Sequence, residues 1–93
     1  MNQVSVRVRI TGRVQGVGYR DWTVQAAVIL GLSGWVRNKS DGSVEAVFQG
    51  DQNQIDPMID KLYQGPFGAV VSCVTFDYGR LGQHKDFKQI ATF

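Results

Sequence analysis

The stretch Gly12-Arg13-Val14-Gln15-Gly16-Val17-Gly18-Tyr19-Arg20 combines the backbone and side-chain types needed to hold a small oxyanion. Its glycines accept φ/ψ values that a side chain forbids, so successive backbone N–H groups can turn inward. The stretch follows an alternating apolar run and precedes a helical pattern. A strand that ends in such a loop and opens a helix aims free N–H groups and the positive end of the helix dipole at one point. Arg20 then adds a planar fork of donors matched to phosphate or carboxylate oxygens. The chemistry indicated is capture of a small oxyanion, with a phosphoryl group the best match. A P-loop is excluded, because no Lys-Ser or Lys-Thr follows these glycines, and a dinucleotide fingerprint fails at Asp21, where a third glycine would stand. On local spacing alone, a glycine-rich turn beside a solvated arginine is an equal alternative.

The elements that must position this loop follow from periodicity. Val4, Val6, Val8 and Ile10 alternate with Ser5, Arg7 and Arg9, which predicts a half-buried strand over residues 4–12. Asp21 reads as an N-cap or first-turn acid for a helix over 22–30, with Trp22, Ala26 and Ile29 on one stripe, Ala27 and Leu30 beside it, and Gly31 as the stop. Residues 34–39 and 43–49 form a hairpin turned by Ser40-Asp41-Gly42. Ile55, Met58, Ile59 and Leu62 mark a second helix, with Asp51 and Gln54 as a capping box. Pro57 requires that helix to begin near Asn53 or to bend before the proline. Residues 70–76 alternate as a strand with both faces largely covered, and Phe87-Lys88-Gln89-Ile90 forms a last short strand.

The loop motif, followed by Gly34-Trp35-Val36-Arg37-Asn38 and Asp41-Gly42-Ser43-Val44-Glu45, resembles the acylphosphatase family. That family's signatures, G-x-V-Q-G-V-x-[FY]-R and G-W-V-x-N-x-x-x-G-x-V, both occur here in order, and Gly65-Pro66 resembles its corner after the second helix. The resemblance covers the whole chain as one domain over residues 1–93. The β-α-β-β-α-β order suits an α+β, ferredoxin-like sandwich: an antiparallel sheet with two helices on one face plus a short C-terminal strand. The family fold implies that Arg20 and Asn38 meet at one end of that sheet.

The resemblance also implies roles. Arg20 matches the arginine that binds the substrate phosphate, together with backbone amides that would here come from Gln15, Gly16, Val17, Gly18, Tyr19 and Arg20. Asn38 matches the asparagine that orients the attacking water. An amide is a poor base, so the substrate's own phosphate takes the proton. The implied reaction is metal-independent hydrolysis of the carboxyl–phosphate bond. No cofactor is expected, since phosphoryl transfer rests largely on positioning and charge stabilisation. Two departures stand out: Gly18 fills a position where bulkier residues also occur, and Lys39 stands where some members carry a threonine.

Composition narrows the remaining classes. The chain has 93 residues, a net charge of +2, one cysteine and one histidine. That charge biases weakly toward anions and is too small to argue for nucleic acid. Cys73 has no disulfide partner, no metal-ligand spacing occurs, and neither a signal peptide nor a membrane span is visible. The expectations are a cytoplasmic monomer acting on a small acyl phosphate, with no metal, no membrane and no nucleic acid. Cys73 is expected to be buried and inert, Arg13 and Arg37 solvated, and Tyr19 and Trp35 part of the core or site wall. Two other classes compete. One is a non-catalytic regulatory domain that binds phosphate or carbamoyl phosphate. The other is a ferredoxin-like RNA-binding module, whose aromatic signature is missing here.

Overall fold

The computed structural model describes residues 3–93. In chain order the elements are β1 (Gln3–Arg13), α1 (Tyr19–Ile29), β2 (Ser33–Asn38), β3 (Val44–Asp51), α2 (Gln52–Gln64), β4 (Val70–Gly79) and β5 (Phe87–Gln89). The strands form one sheet in the order β4-β1-β3-β2-β5. The first four pair antiparallel, as expected, but β5 runs parallel to β2, so the whole sheet is mixed. Beyond Gln89 the chain continues alongside β2, with Ile90 N–H donating to Val36 O and Phe93 N–H to Asn38 O.

Alternation in β1 sends Val6, Val8 and Ile10 into a core closed by Ala26 and Ala27 of α1 and by Ile55, Met58 and Leu62 of α2. Both helices therefore cover the same face of the sheet. Arg7 and Arg9 emerge on the other face, where they pair with Glu45 and Asp41.

Helix α1 begins at Tyr19, three residues before the sequence-based start, because Gly18 in the left-handed region (φ 78°, ψ 21°) turns the chain directly into it. Its buried residues are Tyr19, Thr23, Ala26 and Ala27. Ile29, expected on that stripe, is 83% exposed. At 100° per residue it falls roughly 100° from the stripe's centre. Gly31 does stop the helix: its N–H donates to Val28 O and that of Leu32 to Ala27 O, a Schellman arrangement.

The capping box at Asp51 and Gln54 forms as predicted. Helix α2 then runs from Gln52 through Pro57, so it starts one residue before Asn53. The proline falls early in the helix and forgoes only one backbone bond there.

Strand β4 differs from expectation. It lies at the sheet edge, and Val74 is its one buried residue. Of its apolar residues only Val74 is fully covered, with Val71 packed against the core, and Cys73 is exposed rather than buried.

Candidate active site

The loop between β1 and α1 owes its path to its glycines. Gly16 has φ 74° and Gly18 φ 78°, and a Cβ at either position would meet no atom within 4 Å. Backbone conformation, rather than crowding, is thus what these positions demand, and an L side chain there costs roughly 1–2 kcal/mol. Gly18 offers no side chain to cap α1. The first intrahelical bond runs from Trp22 N–H to Gly18 O. The N–H groups of Tyr19, Arg20 and Asp21 therefore have no partner within the helix and point out of its positive end.

Those groups open into a pocket of about 100 Å³ whose walls include Gly16, Gly18, Tyr19, Arg20 and Asn38. Arg20 and Asn38 are separated by an entire helix and strand in sequence, and the sheet brings them to one cavity. Among the described residues Arg20 enters no ion pair. Its guanidinium has its donors free for an incoming anion.

Asn38 is the last residue of β2, pairs with Val44, and has its backbone carbonyl held by Phe93 N–H at 3.0 Å. Its side-chain Oδ1 is buried and has no hydrogen-bond partner. A buried acceptor left unmade costs about 1–3 kcal/mol, so the atom stands ready for a donor.

Val14, Asp21 and Gln89 also line the pocket, although the sequence did not mark them as site residues. Gln89 Nε2 donates to the Asp21 carboxylate, tying β5 to the start of α1. Nothing in the local sequence indicates that a residue so close to the C-terminal end reaches the loop. Conversely, Gln15 and Val17 belong to the loop without lining the pocket. Val17 packs against the core. The Gln15 side chain turns toward the hairpin, where Nε2 donates to Lys39 O and Ser43 O.

The sequence profile of the family described as Acylphosphatase matches residues 6–89. The chain belongs to the acylphosphatase family. It is 51% identical over 85 residues to an acylphosphatase of Rhizobium etli, covering 90% of each chain. To an acylphosphatase of Methanothrix thermoacetophila it is 44% identical over 87 residues, covering 94% of this chain and 97% of the relative. The solved structure of an acylphosphatase from Coxiella burnetii superposes with a TM-score of 0.93 at 35% identity, covering 96% of this chain and 94% of that one. Acyl phosphate hydrolysis is the activity these matches support, and they favour neither the regulatory domain nor the RNA-binding module.

Several side chains of this acylphosphatase stand apart from the expectations. Arg37 is not a solvated charge. It donates to Glu45 from Nε and Nη2, both at 2.8 Å, and lies over the rings of Trp35 (4.9 Å) and Phe93 (4.6 Å). Trp35 itself is half-buried beneath Arg37, on the face away from the helices. Lys39 points to Glu45 (3.8 Å), and Asn38 Oδ1 receives no hydrogen bond from any neighbouring hydroxyl. The hairpin turn is set by Asp41, whose carboxylate accepts from the hydroxyl and the N–H of Ser43 and from Arg9, which together hold its pKa below the usual carboxylate range.

Tyr19 shows its pocket-side contribution to be backbone. Its ring is fully buried, and its hydroxyl donates to Leu62 O at 2.6 Å, joining α1 to α2. Burial pushes the phenol above its ordinary range near 10. Because the folded value is raised, Tyr19's contribution to stability is fully present below about pH 10 and falls as pH rises beyond it, by up to about 1.4 kcal/mol per unit. Tyr19→Phe should therefore lower stability at pH 7 by about 1–3 kcal/mol through the orphaned carbonyl and flatten this part of the alkaline decline. Urea denaturation at pH 7 and pH 11 measures both. An unchanged alkaline slope would assign the decline to other groups.

Proposed function

We propose that this acylphosphatase cleaves acyl phosphates by direct attack of water on phosphorus, with no metal and no covalent enzyme intermediate. Arg20 and the N–H groups of the loop and first helical turn hold the phosphoryl oxygens. The Asn38 carboxamide holds the water, its Oδ1 accepting one of the water's hydrogens. The new P–O bond forms as the P–O bond to the carboxylate breaks, and the water's proton passes to a phosphoryl oxygen of the substrate. Inorganic phosphate and a carboxylate leave.

One observation carries this reading: an unpaired arginine and an asparagine whose amide oxygen is buried and unpartnered line one small pocket at the open end of a helix. The wall chemistry agrees, since the pocket's residues include one carboxylate, Asp21, and neither histidine nor cysteine. An acyl phosphate suits so sparse a site, because its carboxylate is a good leaving group and positioning supplies much of what remains. The groups assigned to binding all engage the phosphoryl half, so the site selects a small acyl phosphate by that half.

The test is hydrolysis of benzoyl phosphate in excess EDTA, with Asn38→Ala alongside. Wild type should turn over under those conditions. Asn38→Ala should lose about a hundredfold in kcat, the scale of a misplaced reactant, while competitive inhibition by inorganic phosphate holds within about twofold. A folded but inactive wild type would end the hydrolytic reading. If Asn38→Ala lost phosphate affinity to the same degree as kcat, Asn38 would be holding the loop rather than the water.

A further inference from the structure

We propose that the side-chain carboxamide of Gln15 is a positioning residue that sets where Asn38 stands relative to the bound phosphate, an inference that rests on the hydrolytic reading above. Gln15 sits between Val14 and Gly16, so its backbone belongs to the phosphate loop while its side chain leaves it. Nε2 donates to Lys39 O and to Ser43 O, each at 2.8 Å. Both hydrogens of one amide nitrogen are thereby used.

The acceptors are placed so as to matter to Asn38. Asn38 pairs with Val44 in the β2–β3 ladder, and Lys39 and Ser43 are the next residues outward on each strand. They are joined to each other by Lys39 N–H donating to Ser43 O at 2.9 Å. The carboxamide therefore closes over the open end of the hairpin, one residue beyond Asn38. Among the described residues, no other side-chain hydrogen bond, and no backbone bond outside the ladders, joins residues 14–18 to the hairpin. This side chain links the phosphate loop directly to the hairpin end beside Asn38, while Gln89 of β5 makes a separate tie to Asp21 at the start of α1.

Residue type follows from the acceptors. Two carbonyl oxygens must be met by two donors on one atom, which a primary amide supplies. A glutamate of the same shape has none when ionised and would set a charge against both carbonyls. Alanine simply removes the link. Attack in line on phosphorus requires near-attack geometry, and a shift of about 1 Å costs on the order of a hundredfold. Phosphate affinity rests on Arg20 and on backbone N–H groups of the loop and of α1, whereas the Gln15 side chain spends its donors on the hairpin.

The experiment is a double-mutant cycle on the full chain, with Gln15→Ala and Gln15→Glu, each alone and combined with Asn38→Ala. Benzoyl phosphate turnover and the inhibition constant of inorganic phosphate are measured for each. The single Gln15 variants should lose about tenfold to a hundredfold in kcat, with phosphate inhibition within about twofold of wild type. In the Asn38→Ala background the Gln15 substitutions should add little further loss, since the group they position is gone. Independent, multiplicative losses would overturn the proposal, as would unchanged kcat or a phosphate affinity that falls in step with kcat. If Gln15→Glu fails to fold, Gln15→Ala decides by the same criteria. Failure of the hydrolytic reading looks different, because wild type itself would then turn over no benzoyl phosphate.

Discussion

Arg20→Ala should abolish benzoyl phosphate turnover and inorganic phosphate binding together, while the fold survives. The loss should be joint because the proposed role of Arg20 is to hold the phosphoryl group in substrate, product and transition state alike. A charged hydrogen bond contributes about 1.5–3 kcal/mol, so two from one guanidinium amount to roughly 3–6 kcal/mol, or about 10²- to 10⁴-fold in affinity. Arg20→Lys should recover part of the binding and less of the turnover, since an ammonium keeps the charge but cannot span two oxygens. The fold should survive because Arg20 enters no ion pair among the described residues, so its truncation leaves no buried carboxylate behind. Calorimetric titration with phosphate, kcat/KM and thermal melting together make the measurement. Retained phosphate affinity in Arg20→Ala would remove Arg20 from the site.

Gly34→Ala has its large effect on stability instead. Gly34 has φ 134°, and a Cβ there would stand 1.9 Å from Val47 O and 2.9 Å from Val47 C. Both are backbone atoms of the neighbouring strand, so no rotamer change relieves the clash. Gly34 also pairs with Phe87 of β5, and its N–H donates to Asp86 O, so β2 cannot retreat without loosening the strand on its other side. The expected cost is about 3 kcal/mol or more, a large share of the roughly 5–15 kcal/mol available to a small domain. The melting temperature should fall by roughly 12–24 °C for each 3 kcal/mol. Gly42→Ala is the control. At φ 93° it carries backbone strain, yet nothing lies within 4 Å of its Cβ. A melting temperature for Gly34→Ala no lower than that of Gly42→Ala would mean that β2 and β3 can separate without cost.

These two residues illustrate how unevenly the sequence speaks. Arg20 was marked by its neighbours: glycines, a strand before and a helix after. The Gly34-Trp35 pair was visible only as part of a family signature. What makes the glycine necessary is the approach of Val47 O, which no local pattern encodes. Elements followed from periodicity wherever one face is buried and the other wet, as in β1 and α2. Periodicity misled where the environment departed from that rule. Residues of β4 alternate as if sandwiched, but the strand lies at an edge, and which strand takes the edge is a matter of topology. Ile29 is apolar near the end of an amphipathic helix and still exposed, because it lies well round the helix from the buried stripe of Tyr19, Thr23, Ala26 and Ala27.

By itself the sequence determined the order of elements, the stop of α1, the capping box of α2, and the conformational freedom of the phosphate loop, since each of these depends on residues within a few positions of one another. Through two motifs in register it also implied the family and the pairing of Arg20 with Asn38. Tertiary structure alone decided that Gln89 and Asp21 close the pocket, that Arg37 is held by Glu45, Trp35 and Phe93, and that Gln15 turns from the phosphate loop to the hairpin. Those contacts join residues far apart in the chain. Their partners are set by sheet order and strand register, which depend on the packing of the whole core rather than on any one stretch.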